Sequence, residues 1–182
     1  MIYFTRHGET QWNKDGLVCG RADIPLTKKG YVQAEELSKK VSSLATPITK
    51  IIHSPLIRAK ETARIVSEYN QLEMTEDARL AEFDFGIYDG TPIENPDFQV
   101  ARTKFAIRFP NGESVLDLAV RVYPLIEECI ADKENTYLLV CHNALIRVMH
   151  TYFHPLDNGD FFKFSVDNTE LLAYARSSNS VF

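Results

Sequence analysis

Short apolar runs alternate with longer stretches of helical period along this chain, and that alternation restricts the fold more than any other feature. Residues 1–5 read as a strand. Thr27 suits the N-cap of a helix reaching about Leu44, with Ala34, Leu37, Val41 and Leu44 on one face. Ile51 and Ile52 form a second short strand, closed by Ser54 and Pro55. Residues 56–69 predict a helix with Ala59, Ala63, Val66 and Tyr69 facing inward. From Leu72 to Asn111 the pattern weakens, with a strand signal at 72–75 and a short helix around 97–106. Ser114 then caps a long helix whose Val115, Leu118, Val122, Leu125 and Cys129 recur at helical spacing. Pro124 inside it predicts a kink, because it removes a backbone hydrogen bond and crowds the preceding turn. Tyr137 to Cys141 is a near-continuous apolar run, as in a strand buried on both faces. A helix from about Ala144 to Phe153 and two final strands, near 162–166 and 170–175, complete the pattern. The expected fold is a three-layer α/β/α arrangement around a mostly parallel central sheet.

At 182 residues the chain reads as a single domain, 1–182, able to bury a core without crosslinks. A net charge of −5 repels nucleic acid and anionic lipid, and no basic run tracks a nucleic-acid backbone. Any anion site must therefore be a local gathering of arginine and histidine. The three cysteines, Cys19, Cys129 and Cys141, are odd in number and widely spaced, which indicates neither a disulfide framework nor a structural zinc site. No apolar stretch approaches the roughly 18 residues that span a membrane, and the first strand has no charged leader. The expectation is a cytoplasmic protein with no nucleic-acid or membrane partner; oligomeric state is left open.

In open α/β sheets ligands bind beyond the carboxyl ends of the strands. His7 follows the first strand and His142 follows the buried one, so the fold would bring two sequence-distant imidazoles to one edge. Arg6 beside His7 pairs a fixed positive charge with a nitrogen nucleophile, a kit for holding a phosphoryl group and attacking it. Gly8 would let a ligand approach the backbone. Arg58, in the first turn of the helix after Ser54-Pro55, sits near a positive dipole end, and a guanidinium takes two phosphate oxygens in one planar fork. Asn13 offers one more hydrogen bond, or simply caps a turn.

These residues lie in motifs that resemble the histidine phosphatase superfamily, also called the phosphoglycerate-mutase-like family. The matching stretches are Arg6-His7-Gly8-Glu9-Thr10 with Asn13, Pro25-Leu26-Thr27 through Gly30, and Ser54-Pro55-Leu56 with Arg58, Ala59, Thr62 and Ala63. Leu80 and Glu82 with Gly86 and Gly90, Pro110 through Ser114, and Val140-Cys141-His142 continue the match over nearly the whole chain. The resemblance implies that His7 is phosphorylated, that Arg6, Arg58 and His142 clamp the phosphoryl oxygens with Asn13 and Thr10 nearby, and that Glu82 is the general acid. It implies neither metal nor cofactor, and a small phosphomonoester as substrate. His7 must attack unprotonated, and its cationic neighbours would depress its pKa by repulsion. Arg21 either reaches substrate or pairs with a carboxylate. His53 reads as a structural histidine and Cys141 as a small buried residue, while His150 and His154 read as packed or surface-exposed.

The chain departs from the family pattern in two places. Asn143 stands where glycine commonly follows the second histidine; asparagine tolerates a left-handed backbone and would bring an amide to the pocket rim. The segment 91–109 is short where the mutase branch carries a long insertion, and it interleaves Arg102, Lys104 and Arg108 with Phe98, Phe105 and Phe109. A short, lid-like insertion leaves water access, which favours hydrolysis over return of the phosphoryl group. The expected function is a metal-independent phosphomonoesterase. A bisphosphoglycerate-dependent phosphoglycerate mutase and a non-catalytic phospho-ligand binding module are the alternatives.

Overall fold

Residues 1–175 are described by the structure, a computed structural model. Five strands form one sheet: β1 (Ile2–Arg6), β2 (Lys50–His53), β3 (Glu73–Glu76), β4 (Tyr137–Cys141) and β5 (Leu171–Tyr174), in the order β3-β2-β4-β1-β5. β1, β4, β2 and β3 run parallel, and β5 joins β1 antiparallel at the edge. The central place of β4 explains its continuous apolar sequence: Leu138, Leu139, Val140 and Cys141 are all fully buried.

Among the described residues seven α-helices accompany the sheet: α1 (Gln11–Lys14), α2 (Lys28–Ser42), α3 (Ile57–Asn70), α4 (Pro96–Ala101), α5 (Val115–Ala131), α6 (Asn143–Thr151) and α7 (Asn158–Lys163). Because alternate strand residues point to opposite faces, Tyr3, Leu138 and Val140 pack with Leu37, Val41, Ala59, Ala63 and Val66 of α2 and α3. Phe4 and Leu139 pack on the other face with Leu118, Val122, Leu145 and Met149 of α5 and α6. The three layers are as expected. Side-chain caps start α1, α2, α4 and α5. Thr27 accepts from the Gly30 amide at 3.1 Å, and Ser114 and Asp117 cap each other reciprocally, each cap contributing about 1 kcal/mol.

Several expectations need correction. Tyr69 is exposed; Asn70 continues the inner stripe from Val66, donating to the carbonyls of Ser38 and Val66 while the phenol stays hydrated. The short helix runs over Pro96–Ala101, started by Asn95, whose side chain accepts from the Asp97 and Phe98 amides. No strand forms at 162–166. The aromatic run there belongs to α7, which buries Phe161, and the following stretch ties Val166 to Arg6 and Asn143 by side-chain bonds. β5 takes the edge of β1 that this strand would have needed. α5 continues through Pro124, whose side chain is exposed. The short α1 had no apolar periodicity to announce it.

Candidate active site

Parallel pairing of β1 with β4 sets Arg6 opposite Cys141, so the two chains leave the sheet side by side. The His7 amide donates to the Cys141 carbonyl at 3.0 Å, and the rings of His7 and His142 lie 5.1 Å apart, centroid to centroid. β2 joins from the other side of β4, where the Ser54 hydroxyl meets His142 Nε2 at 2.7 Å and accepts from the Leu56 amide. Three parallel strand ends thus converge on one point, as such sheets allow.

His7 is buried, with Nδ1 2.7 Å from the Gly8 carbonyl and Nε2 3.2 Å from Arg58 Nε. Since Gly8 offers a carbonyl, Nδ1 carries the proton and Nε2 presents its lone pair. Burial, more than charge, drives the pKa of His7 well below the ordinary imidazole range; Arg58 and Arg6 add to it, and the Gly8 bond opposes it. The sequence argument had put repulsion first. Arg58 is fully buried, and its two Nη atoms are fixed on the carbonyls of Ala22 and Gly20 at 2.7 and 2.8 Å. That leaves Nε directed at His7.

Gly8 has a different reason from the one its motif suggests. A Cβ there would lie 2.4 Å from the Gly30 carbonyl oxygen, and a Cβ on Gly30 would lie 2.3 Å from the Glu9 carbonyl oxygen. The two glycines let the loop after β1 press against the first turn of α2. Thr10 is likewise structural: it caps α1, exchanging bonds with Asn13, and is buried away from the cleft wall. Asn13 does line the cleft, with its Oδ1 occupied by the Thr10 amide and its Nδ2 left over.

Glu82 lies in the same cleft, fully enclosed, its carboxylate receiving the amides of Phe83, Ala144 and Leu145 at 2.8 to 3.3 Å. The last two open α6, so a helix N-terminus faces the carboxylate. Burial nevertheless raises its pKa, against the pull of those amides and of Arg58 and Arg121. Arg121 bonds the carbonyls of Arg79 and Glu82 and pairs with Glu113 at 2.9 Å, which fixes the backbone that carries Glu82.

His142 begins α6 and is fully buried, its pKa also depressed, by burial first and then by Arg58 and His7. Its Nδ1 and the Nε of Arg6 are the two buried side-chain donor-capable atoms without a partner among the described residues. Asn143 is the first residue of α6 rather than a left-handed turn, and its Oδ1 accepts from the Val166 amide at 2.8 Å. The amide at the rim therefore secures the loop after α7. Arg21 does not reach the cleft wall; it pairs with Glu113 at 3.3 Å.

The cleft beside Arg6, His7 and Glu82 encloses about 140 Å³. Phe83, Phe85, Phe98, Phe109, Phe161 and Phe162 line it, with Cys19, whose thiol burial pushes up to about 11. Ser54, Arg121, Arg102 and Arg147 were not singled out from sequence as site residues. Arg147 carried no signal of its own, since it shares its face of α6 with Asn143, His150 and Thr151 and reads as one more polar-face residue. Cys141 and His53 are buried as expected, His53 with Nδ1 2.8 Å from the Ser54 carbonyl, and His150 packs with its Nδ1 on the Tyr174 hydroxyl. Among the described residues, no group of three or more His, Cys, Asp or Glu is placed to hold a metal, and no helix is long and apolar enough to cross a membrane.

The chain is similar to known proteins in sequence and in fold. The sequence profile of the histidine phosphatase superfamily (branch 1) matches residues 2–180. A protein of Enterobacter sp. (strain 638) named probable phosphoglycerate mutase GpmB is 35% identical over 153 residues, 80% of this chain and 70% of the relative. The structure of a candidate alpha-ribazole-5'-P phosphatase from Escherichia coli superposes with a TM-score of 0.80 at 26% identity, covering 93% of this chain and 87% of that one. A mycobacterial glucosyl-3-phosphoglycerate phosphatase in complex with VO3 gives a TM-score of 0.81 at 26% identity, covering 93% and 88%. The chain belongs to branch 1 of the histidine phosphatase superfamily and is a phosphatase enzyme of that family.

Proposed function

We propose that this phosphatase hydrolyses small phosphomonoesters through a phosphohistidine formed on His7, without a metal ion. The observation that carries the proposal is the setting of His7: Nδ1 tied to the Gly8 carbonyl, Nε2 unprotonated, and Arg58 Nε waiting 3.2 Å away. When a phosphoryl group enters, one of its oxygens takes over the Arg58 donor and frees the lone pair. Nε2 then attacks phosphorus as the bond to the alcohol oxygen breaks. Arg6, Arg58, Asn13 and His142 meet the equatorial oxygens. The unpartnered Arg6 Nε and His142 Nδ1 are donors that such a group satisfies. Ser54 donates its proton to His142 Nε2, which leaves the imidazole proton on Nδ1, toward the substrate.

Glu82 gives its proton to the departing alkoxide. Its raised pKa favours the protonated form beforehand, and the α6 amides stabilise the carboxylate left behind. The carboxylate next takes a proton from water, whose oxygen attacks phosphorus, releasing phosphate and restoring His7. Arg6 and Arg58 supply the charge neutralisation that a metal supplies elsewhere. The short 91–109 segment acts as a lid within a single domain, and three widely spaced cysteines, an odd number, fit a reducing cytoplasmic setting.

The mutase reading draws on the name of the Enterobacter relative. Conversion of 3-phosphoglycerate to its 2-isomer, strictly dependent on a bisphosphate primer, would establish it. A panel of phosphomonoesters assayed in excess chelator tests the proposal: wild type releases phosphate undiminished and His7→Ala does not. Turnover that the chelator abolishes, or that His7→Ala retains in full, overturns it, and full retention by His7→Ala would favour the binding-module reading for this cleft.

A further inference from the structure

The described arginines fall into two groups. Arg21, Arg64, Arg79, Arg108 and Arg121 each pair with a carboxylate. Arg6, Arg58, Arg102 and Arg147 pair with none among the described residues, and all four belong to the cleft or to His7. Phosphoryl transfer at His7 accounts for two of them. Arg102 and Arg147 remain unexplained.

Arg147, on α6, donates from Nε to the Phe164 carbonyl at 2.9 Å, with its guanidinium carbon 5.8 Å from the Phe161 ring. Arg102, directly after α4, reaches the Phe162 carbonyl from Nη2 at 3.4 Å and lies 5.9 Å from the Phe98 ring. Each thus spends one donor on the backbone of the 162–164 stretch. Among the described residues the others have no protein partner, and they are not sealed from solvent. Holding a loop needs one neutral donor, not two guanidinium groups in the wall of a half-enclosed cavity. Burial lowers the pKa of both, and at Arg147, which falls to about 10, the charge of Arg102 adds to the effect of burial. An anion in the cleft would relieve that repulsion and use the planar forks.

We propose that Arg102 and Arg147 form a second anion subsite, so that the substrate is a phosphomonoester whose alcohol portion carries another anionic group, a carboxylate or a second phosphate. This rests on the hydrolase reading above. The phosphoryl group goes to His7, the second anion to the two rim arginines, and the connecting body lies against Phe83, Phe98, Phe109 and Phe161. Since the chain is negative overall, at −5, the subsite acts as a local attraction set against the global field.

Matched ester pairs test this in wild type: glycerol phosphate against phosphoglycerate, phenyl phosphate against the carboxyphenyl phosphates, and propanediol monophosphate against its bisphosphate. At least one doubly anionic member is expected to exceed its partner about tenfold or more in kcat/KM, chiefly through KM. A carboxylate preference identifies the first source, a bisphosphate preference the second. In Arg147→Gln and Arg102→Gln that ratio falls at least about fivefold, while thermal melting reports separately on folding. Turnover by wild type with no preference in any pair overturns the subsite and leaves the hydrolase reading intact. A preference that both variants keep also overturns it. Absence of turnover with every ester overturns the hydrolase reading, and the subsite with it.

Discussion

The two ends of the cleft are built differently. At the floor each group is held on backbone atoms by at least one short bond: His7 by Gly8, Arg58 by Gly20 and Ala22, Glu82 by Phe83 and the first amides of α6. At the rim Arg102 hangs on one long bond, Arg147 on one short one, and the wall between them is phenylalanine. Chemistry needs its donors fixed to within a fraction of an ångström. Recognition of an alcohol tolerates side chains that adjust. The contrast teaches that the same fold can keep the reaction constant at the strand ends while the rim changes the substrate.

Replacing a floor residue should therefore strike kcat, and replacing a rim residue should strike KM. The largest effect is expected for Glu82→Gln, which removes the proton donor but keeps the shape. Its kcat on alkyl phosphates should fall about 10²- to 10⁴-fold, and much less on nitrophenyl phosphate, whose leaving group needs no proton. Equal losses on both would make Glu82 a structural carboxylate and break the contrast. Ser54→Ala comes next. Without the 2.7 Å bond to His142 Nε2, the second imidazole loses its fixed tautomer, and kcat should drop about tenfold with KM nearly constant. A change confined to KM would move Ser54 to the recognition end. Arg21→Ala, which removes a partly exposed partner of Glu113, should alter kcat/KM less than about threefold in a steady-state assay.

Stability sharpens the same comparison. His7 and His142 are buried neutral, with folded pKa values well below the unfolded one. As pH falls below about 6.5 the unfolded chain takes up protons that the folded chain refuses. Each histidine then costs about 1.4 kcal/mol per pH unit, and the loss continues until its folded pKa is reached. Glu82 opposes this slightly, because its folded pKa is raised and its burial is easier once protonated. Urea unfolding between pH 7 and about 5 should show the decline, and His7→Gln should flatten it. An unchanged slope in that variant would place the acid sensitivity elsewhere.

The floor was far more legible in the sequence than the rim. β1 and β4 announce themselves as apolar runs, and the parallel-sheet rule then brings His7 and His142 together without reference to coordinates. Arg58 follows from its place in the first helical turn after Ser54-Pro55, Glu82 from motif resemblance. What escaped depends on contacts between distant segments. Gly8 looked like room for a ligand because its real neighbour, the Gly30 carbonyl, belongs to a helix whose docking no local pattern encodes. Phe161, Phe162 and Phe164 imitate a strand, since aromatic density is a feature of strands and of pocket walls alike. Arg147 was hidden on the polar face of α6, beside Asn143, His150 and Thr151, where a cation reads as an ordinary solvated residue. Arg21 shows the converse, a motif arginine whose charge is consumed by Glu113.

The central claim is a covalent bond between His7 Nε2 and phosphorus. Rapid quenching of wild type with a phosphorus-labelled aryl phosphate in excess chelator, followed by peptide mapping, measures it directly. The account predicts acid-labile, alkali-stable label on the peptide containing His7, formed within one turnover and absent from His7→Ala. Steady release of phosphate with no label on that peptide at any time would contradict it.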